Sequence, residues 1–410
     1  MLNINLMREQ WKRTVPFFLV ITLFVIPISS TLKSIFIPLS LIGILSIPAF
    51  RNDIACILKE HWSKAAIAFF LVVLFACVWS PADPHLRLTM LGKYSKFLYL
   101  PIFVVCFTQP TVRQYGIYAF VLAMIITCVV SISNAQVDMI FHNHIVTSFM
   151  MAFAAYISGI EAMRSAGLKR VFFVFLVLLF SYQLLFINQG RSGYILYVVL
   201  MFLLMVMYLP SKYLFGAILF FSCSFVMIMN HSKILSTRIH ALVEDIHLYK
   251  HGEKNTSLGT RIVFHKFAKS LFLTSPWIGH GSGGFAYAFQ HREHRELVKG
   301  WDNLLDPHSQ YWLVAADFGL LGLGALFYLF VSLWIAALRL KHMKSLMLGL
   351  LLSCFLANFT DSLLFYSAVG NLFIVFSALS LGELVEQKKN LAAENTLETP
   401  LQTISCPTAS

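Results

Sequence analysis

Residues 171–209 read VFFVFLVLLFSYQLLFINQGRSGYILYVVLMFLLMVMYL, which is two long apolar runs joined by a short turn of polar residues and glycine. A helix rises about 1.5 Å per residue and the hydrocarbon core of a bilayer is about 30 Å thick, so a span needs roughly 20 apolar residues. The runs 171–188 and 193–209 therefore predict two antiparallel membrane helices, with the polar turn at one membrane surface.

The whole chain has the composition of a membrane protein. Of its 410 residues, 58% are hydrophobic and 12% are charged, and the mean hydropathy is +0.74. Soluble domains carry about 25% charged residues, so a soluble globular enzyme, a disordered protein and a fibrous repeat are excluded. The unbroken apolar runs also exclude an outer-membrane barrel, whose strands alternate in polarity.

The predicted fold is all-α, a polytopic membrane protein of about twelve transmembrane helices. The predicted spans are 14–30, 32–50, 65–80, 97–110, 114–134, 145–160, 171–188, 193–209, 213–229, 311–338, 346–361 and 363–384. The first run lacks a small-residue cleavage site, so we expect a retained helix and not a removed signal peptide. The predicted domains are an N-terminal bundle of about nine spans (1–229), a loop domain (230–310), three C-terminal spans (311–384) and a disordered cytoplasmic tail (385–410).

The net charge of +12 is unevenly distributed along the chain. Sixteen basic residues fall in one set of short loops and five in the opposite set. Because basic residues near a span resist translocation, the first set is predicted to be cytoplasmic, together with both termini. The other ten basic residues and nine of the fourteen histidines lie within 230–310. We expect this external segment to form a few short helices over the membrane mouth.

Two arginines are candidates for binding an anion. Arg191 lies in the turn Asn188–Tyr194, where it could either extend to lipid headgroups or bind an anionic ligand that the flanking glycines allow to approach. Arg261 follows Gly259 in the long loop. The glycine-rich stretch from Pro276 to Phe285 lacks the Lys-Ser/Thr of a P-loop, so a structural turn is favoured over a phosphate cradle.

His308 is the candidate base. It lies in Asp306–Tyr311, where the loop re-enters the membrane, and its near-neutral pKa suits removal of a proton from a sugar hydroxyl, although a helix cap is the alternative. Asp361 is predicted at the same membrane level and would orient a partner if it is buried near an arginine. His291 and His294 form a spaced pair, but without HExxH or a nearby cysteine they do not predict a metal site.

In combination, these motifs resemble the O-antigen ligase family of bacterial inner-membrane proteins, a group that includes O-antigen polymerases and protein O-oligosaccharyltransferases. The resemblance covers nearly the whole chain in topology. It rests on the order of Arg191 in Gly-Arg-Ser-Gly, Arg261 in Gly-x-Arg, the stretch from Pro276 to Phe285, His308 and Tyr311 in Pro-His-x-x-Tyr, and Asp317 and Gly319 in acidic-x-Gly. Many relatives have asparagine where this chain has Ser309, which leaves the role of that position open.

The resemblance implies a helical bundle of the membrane glycosyltransferase (GT-C) type. It also implies transfer of O-antigen glycan from undecaprenyl diphosphate to the lipid A-core oligosaccharide at the periplasmic face, without a metal or another cofactor. The expected partners are this donor, this acceptor and membrane lipids, and no nucleic acid is expected.

The candidate residues suit that reaction. Arg191 and Arg261 would hold the diphosphate, because guanidinium groups match phosphate oxygens. His308 would activate the acceptor in a single inverting displacement, and Asp361 would orient one of these groups. Two further substrate-binding candidates follow: Tyr311 beside His308, and Lys93, which with Lys96 could contact carrier or lipopolysaccharide phosphates.

Three other functions remain open at this stage. An O-antigen polymerase of the same group would use carrier-linked glycan as both donor and acceptor. A protein oligosaccharyltransferase is less favoured, because those chains usually have a larger C-terminal soluble part. A transporter or flippase of anionic lipid would require ionisable residues deep in the spans, where Asp317 is the main example.

Overall fold

The computed structural model describes residues 2–133, 141–291, 301 and 303–397, and within these residues the chain is helical with no strand. The N-terminal part contains α1 (Leu2–Val25), α2 (Ser30–Leu45), α3 (Pro48–Ile57), α4 (His61–Phe75), α5 (Pro84–Tyr94), α6 (Tyr99–Phe103), α7 (Pro110–Ser133), α8 (His144–Arg164), α9 (Gly167–Phe186), α10 (Arg191–Tyr208) and α11 (Ser211–His231). Short 3-10 turns, Ser95–Leu98 and Val104–Phe107, flank α6. The all-α prediction is confirmed.

The segment predicted as an external loop forms three further helices before the chain returns to the bundle. They are α12 (Lys233–Lys250), α13 (Ser257–Thr274) and α14 (Gly284–Gln290). The C-terminal part contains α15 (Gln310–Arg339), α16 (Lys344–Ala357) and α17 (Ser367–Leu397). Because α17 continues to Leu397, residues 385–397 are helical and not disordered as predicted, and the remainder of that tail lies outside the described residues.

Every predicted span overlaps at least one helix of the described residues, but fewer than twelve of these helices meet the requirements of a span. In the described part of the chain, eight helices are long and apolar enough to cross a membrane, and the pair α2 and α3, bent by 97°, would make nine. The apolar helices α4 and α16 are shorter than a usual span. The first half of α1 carries charged residues, among them Arg8, Glu9, Lys12 and Arg13.

The bundle is organised around α8 and α17. Of their apolar spans, 94% and 89% are buried inside the protein. Phe376 packs edge to face against Phe120 and Phe153 from two other helices, at ring-centroid distances of 5.1 and 5.3 Å. In contrast, none of the span of α11 is buried, and Phe215 and Phe220 are exposed on it. An exposed apolar helix of this kind is suited to contact with lipid.

A buried carboxylate on α17 holds the connection between α15 and α16. Glu383 accepts backbone hydrogen bonds from Lys341 (3.1 Å) and His342 (2.8 Å) through Oε1 and from Met343 (2.7 Å) through Oε2. These amides precede α16 and have no carbonyl within that helix to bond. Glu383 thereby joins the last three helices of the bundle.

We expect Glu383→Ala to lower the free energy of unfolding by about 3 kcal/mol, because hydrogen bonds to a charged group contribute about 1.5–3 kcal/mol each and the amides are left without a partner. Glu383→Gln retains one oxygen acceptor and should lose less. Unfolding in detergent micelles measures both. Glu394, exposed on the same helix, provides the control variant Glu394→Ala; equal stability of the two alanine variants would contradict this role for Glu383.

Candidate functional site

Three of the predicted residues meet at one end of the bundle. His308 lies in the turn 303–309 that leads into α15, and Asp361 lies in the turn 358–366 between α16 and α17. Arg261 lies near the start of α13, outside the bundle helices. The tertiary structure therefore combines side chains from three separate parts of the chain.

Amide side chains hold the two turns in place. Gln310 Oε1 accepts a hydrogen bond from Phe365 N (2.9 Å), and Gln310 Nε2 donates to the hydroxyl of buried Tyr94 (2.8 Å). Asn358 Oδ1 accepts from Leu364 N (3.3 Å). These bonds replace the helical hydrogen bonds that the turn lacks, so the backbone can remain irregular at a buried position.

His308, Asp361 and Tyr366 form a hydrogen-bonded group. His308 Nδ1 lies 3.2 Å from Asp361 Oδ1, and the Tyr366 hydroxyl donates to the same oxygen at 2.5 Å. Asp361 is almost fully buried, whereas 16% of the His308 side chain is exposed. The bond to Asp361 places the proton of a neutral His308 ring on Nδ1 and leaves Nε2 as the basic nitrogen.

The surroundings of His308 restrict its position. Its φ of +54° is the only positive φ among the described non-glycine residues, and its backbone N–H donates to Asp306 Oδ1 (3.0 Å). The ring stacks on Phe264 at 5.9 Å and meets Trp301 edge to face at 5.7 Å. Because a left-handed backbone is unfavourable for histidine, these contacts must compensate for it.

Arg261 supplies a cation to the other side of Asp361. Its guanidinium Nη2 lies 3.5 Å from Asp361 Oδ2, and 29% of its side chain is exposed. Asp361 thus faces a histidine and an arginine at once. A guanidinium that is held on one side and open to solvent on the other can bind an anionic ligand.

The charges around Asp361 shift the pKa values of the group. Burial lowers the pKa of His308, but the hydrogen bond and charge of Asp361 and the charge of Asp306 outweigh this and raise it above its ordinary value. Burial acts in the opposite sense on Asp361, where His308 and Arg261 outweigh it and lower the pKa. Burial raises the pKa of Asp306.

Arg191 is connected to this group through an acidic residue. Its Nη1 lies 3.2 Å from Asp245 Oδ2, which also accepts a hydrogen bond from Leu258 N (3.3 Å) at the start of α13. Arg261 follows Leu258 by one helical turn. Asp245 therefore places Arg191 beside the helix that carries Arg261, and 27% of the Arg191 side chain remains exposed.

The glycines beside Arg191 have a packing role. A Cβ on Gly193 would collide with Ser148 on α8, and a Cβ on Gly190 would lie 2.7 Å from the carbonyl oxygen of His144. Close approach of α8 to the turn thus requires both glycines. This contact explains them without the ligand approach that the sequence suggested.

An apolar cavity of about 340 Å³ begins at Arg191. It is lined by side chains of α10, α11 and α12, which are Arg191, Tyr194, Ile195, Val198, Val199, Phe225, Arg238, Ile239 and Leu242. The wall of the cavity is almost entirely apolar, so the two arginines contribute mainly their methylene groups to it, and the cavity suits a hydrocarbon chain.

The glycine-rich stretch is a structural turn, as the sequence favoured. Gly279, Gly281 and Gly283 all have positive φ, and the turn packs against α15. Buried Asp317 accepts hydrogen bonds from Phe285 N (2.7 Å) and Gly283 N (3.3 Å). The turn amides thus bind a carboxylate of the protein itself, and Asp317 has a structural partner.

The two other predicted substrate-binding residues lie in different contacts. The Tyr311 hydroxyl donates to the carbonyl of Phe355 (2.9 Å), and its ring stacks on Phe327 at 5.8 Å. Lys93 lies over the ring of Phe365, 5.1 Å from its centroid, and lines a separate cavity with Lys96. Among the interactions of the described residues, neither Tyr311 nor Lys93 contacts His308, Arg261 or Asp361.

Sequence analysis missed Tyr366 and the role of Asp306. Tyr366 falls within the predicted span 363–384, because the apolar run hides the turn that precedes α17. Asp306 was noted only as a neighbour of His308. A tyrosine and two acidic residues close to membrane boundaries were the available signal, but spacing alone does not indicate that they converge.

Asp306, His308 and Asp361 have the composition of a partial metal site, with ligand atoms within 4.8 Å of one another. However, Asp361 already accepts a hydrogen bond from Tyr366 and faces the cationic Arg261. A divalent ion would have to compete with that guanidinium. Of the spaced pair His291 and His294, which does not predict a metal site, His294 lies outside the described residues.

Comparison with known proteins supports the resemblance that the motifs indicate. No curated protein sequence matches the chain. Residues 173–327 match the family model described as O-antigen ligase, and this segment contains Arg191, Arg261 and His308, whereas Asp361 lies beyond it. The match supports a role in glycan transfer of the ligase or polymerase type in lipopolysaccharide assembly. Over residues 173–327, this multi-pass helical membrane protein is therefore similar to the O-antigen ligase family.

Proposed function

We propose that this protein is an O-antigen ligase that transfers glycan from undecaprenyl diphosphate to the lipid A-core oligosaccharide. In this proposal the site lies at the periplasmic face of the bacterial inner membrane, and both termini are cytoplasmic. The observation that carries the proposal is the group of His308, Asp361 and Arg261, with Arg191 connected to it through Asp245. It combines a base and two cations without requiring a metal.

His308 is the proposed general base. Its Nδ1–H donates to Asp361, which leaves the lone pair of Nε2 for the acceptor. Among the described interactions, Nε2 has no protein partner. General base catalysis contributes about 10²–10⁴ in rate, and the bond to Asp361 stabilises the imidazolium that forms.

Arg191 and Arg261 are the proposed stabilisers of the leaving group. As the acceptor oxygen bonds to the anomeric carbon of the donor sugar, the bond from that carbon to the diphosphate oxygen breaks. The proton of the acceptor passes to His308, and the lipid diphosphate leaves with both electrons of the broken bond. A single displacement of this kind inverts the configuration of the anomeric carbon.

The apolar cavity at Arg191 suits the chain of the carrier. Its wall is almost entirely apolar, and Arg191 and Arg238 are among the residues that border it. A diphosphate at these arginines would leave its isoprenoid chain directed along α10 and α11. This placement accounts for an exposed apolar α11 next to a charged turn.

The alternative of a lipid transporter is weakened by Asp317. It was the main ionisable residue predicted inside a span, and it is bonded to the backbone of the glycine-rich turn. Carrier-dependent glycan transfer by detergent-purified protein tests the enzyme directly, because no compartments exist there between which to transport.

An O-antigen polymerase is the nearest alternative. A deletion strain that retains long, carrier-linked polymer but lacks capped lipopolysaccharide indicates the ligase. Loss of polymer length itself indicates the polymerase.

We expect His308→Ala to lower the transfer rate by about 10²–10⁴, because the acceptor hydroxyl loses its base. Single-turnover assays of purified protein with saturating donor and acceptor measure this rate. His240, an exposed histidine on α12, provides the control variant His240→Ala. Turnover of His308→Ala within twofold of the control would remove His308 from the chemistry.

The rate should fall as the pH drops through a value above the ordinary histidine pKa of about 6.5, because only neutral His308 accepts a proton. In Asp361→Asn the hydrogen bond and charge that raise the pKa are lost, so this inflection should move to lower pH and the plateau rate should fall. The pH profile of kcat measures both effects. Glu253→Gln, an exposed control, should keep the wild-type inflection; an unchanged inflection in Asp361→Asn argues against His308 as the titrating base.

We expect Arg261→Lys and Arg191→Lys to retain only part of the activity, since lysine keeps the charge but loses the guanidinium fork. Loss of one charged hydrogen bond of about 1.5–3 kcal/mol corresponds to a decrease of roughly 10- to 150-fold in kcat/KM for the donor. Initial rates at varied donor concentration measure it. Arg51→Lys, at an exposed residue of α3, serves as control, and full activity of both site variants would contradict diphosphate binding.

A further inference from the structure

A second, polar cavity of about 210 Å³ lies at the start of α17, beside the turn that carries Asp361. It is bordered by the first turns of α2 and α17 and by the end of α5. Its lining includes three lysines and several neutral polar groups, among them Lys33, Lys93, Lys96, Ser34, Ser95 and Asn371. No carboxylate lines it, so the cavity is cationic.

Lys33 carries the strongest evidence for a ligand. Only 3% of the residue is exposed, yet no hydrogen bond or ion pair of its ammonium group occurs among the described interactions. Lys93 likewise has no ion pair there, and its one described side-chain contact is the ring of Phe365. Burial of a charged group without a partner is unfavourable, so a bound anion would stabilise this arrangement.

Lys96 differs from the other two lysines because the protein itself binds it. Its Nζ donates to the carbonyl oxygens of Leu364 (2.8 Å), Tyr366 (3.3 Å) and Phe365 (3.5 Å). A Cβ on Gly370 would collide with this ammonium group. Lys96 thus holds the turn whose Tyr366 bonds Asp361.

The backbone also contributes positive potential. Ser367, the first residue of α17, lines the cavity, so the N-terminus of this helix borders it. Helix N-termini carry partial positive charge and unpaired amides. Both the side chains and the backbone therefore favour an anion.

The neighbouring surface indicates what carries the anion. Leu32, Ile35, Leu39 and Ile42 are exposed along α2, the helix that contributes Lys33. An apolar helix surface next to a cationic cavity suits a hydrocarbon chain next to a charged head. A free anion in solution would not require that surface.

We propose that Lys33 and Lys93 bind a phosphate group carried by an amphiphile, at a site separate from the Arg191–Arg261 pair. The phosphate belongs either to an anionic membrane lipid or to a phosphorylated glycolipid acceptor. The second source rests on the proposed function, whereas binding itself does not.

Binding is tested with the full-length protein in neutral detergent, with dihexanoylphosphatidic acid as probe and dihexanoylphosphatidylcholine as the zwitterionic comparison. We expect the acid to raise the Tm of the wild type in a saturable manner and the choline lipid to have little effect. In Lys33→Gln/Lys93→Gln the dissociation constant for the acid should rise at least about tenfold, as for one lost charged hydrogen bond. Lys93→Arg, which keeps the charge, should bind within a few-fold of wild type.

The control variant is Lys64→Gln, at an exposed lysine on α4 that lines neither cavity. Without ligand, the double variant should be at least as stable as this control, because a buried unpaired charge has been removed. If the double variant does not fold, Lys93→Gln alone must weaken binding. The proposal is overturned if the folded variant, either Lys33→Gln/Lys93→Gln or Lys93→Gln alone, binds dihexanoylphosphatidic acid with the same affinity as the wild type.

Two activity measurements identify the source of the phosphate. If it belongs to the acceptor, the double variant raises KM for native acceptor but not for acceptor treated with phosphatase. If it belongs to a lipid, anionic phospholipid stimulates the wild type in neutral nanodiscs and fails to stimulate the double variant. If the enzyme is active and shows neither of these two effects, a role for the cavity in transfer is overturned. An inactive wild type contradicts the proposed function, but the result of the binding experiment still stands.

Discussion

The structure depends on one constraint, which is that backbone amides and carbonyls inside a membrane require hydrogen-bond partners from the protein. Helices meet this requirement along their length. At the ends of α15, α16 and α17 the helices stop, and Gln310 and Asn358 supply the missing partners through their side chains. Lys96 supplies a further donor to three carbonyls of the same turn. An irregular segment can therefore persist at the edge of the bundle, and this segment carries Asp361.

The electrostatics of the site follow from that buried carboxylate. Asp361 is almost inaccessible, so its charge must be balanced locally, and His308, Tyr366 and Arg261 do this from different sides. The same carboxylate orients the imidazole and keeps it basic. Asp245 has a parallel role for Arg191, which it joins to the start of α13. Asp361 and Asp245 thus position His308, Arg261 and Arg191, the three residues to which the proposed chemistry is assigned.

The glycines show where reasoning from a motif is ambiguous. Gly190 and Gly193 suggested access for a ligand, but in the structure they allow α8 to pack closely. The positive φ values of Gly279, Gly281 and Gly283 form a turn that binds Asp317, so the same residues that could surround a phosphate surround a carboxylate of the protein. Glycine in a sequence indicates only that space or an unusual backbone is needed. Which neighbour takes that space depends on contacts between distant segments.

The sequence by itself determined the helical membrane class, the approximate position of most of the long apolar helices, and the candidacy of Arg191, Arg261, His308 and Asp361. Hydrophobic length and residue chemistry are local properties, so they can be read without coordinates. Only the tertiary structure decided that His308, Asp361 and Arg261 converge, that Tyr366 completes the group, and that Tyr311 packs elsewhere. It also placed Lys33 of α2 and Lys93 of α5 at the same cavity. These pairings depend on helix packing and on side-chain direction, and neither is encoded in the periodicity of any single segment.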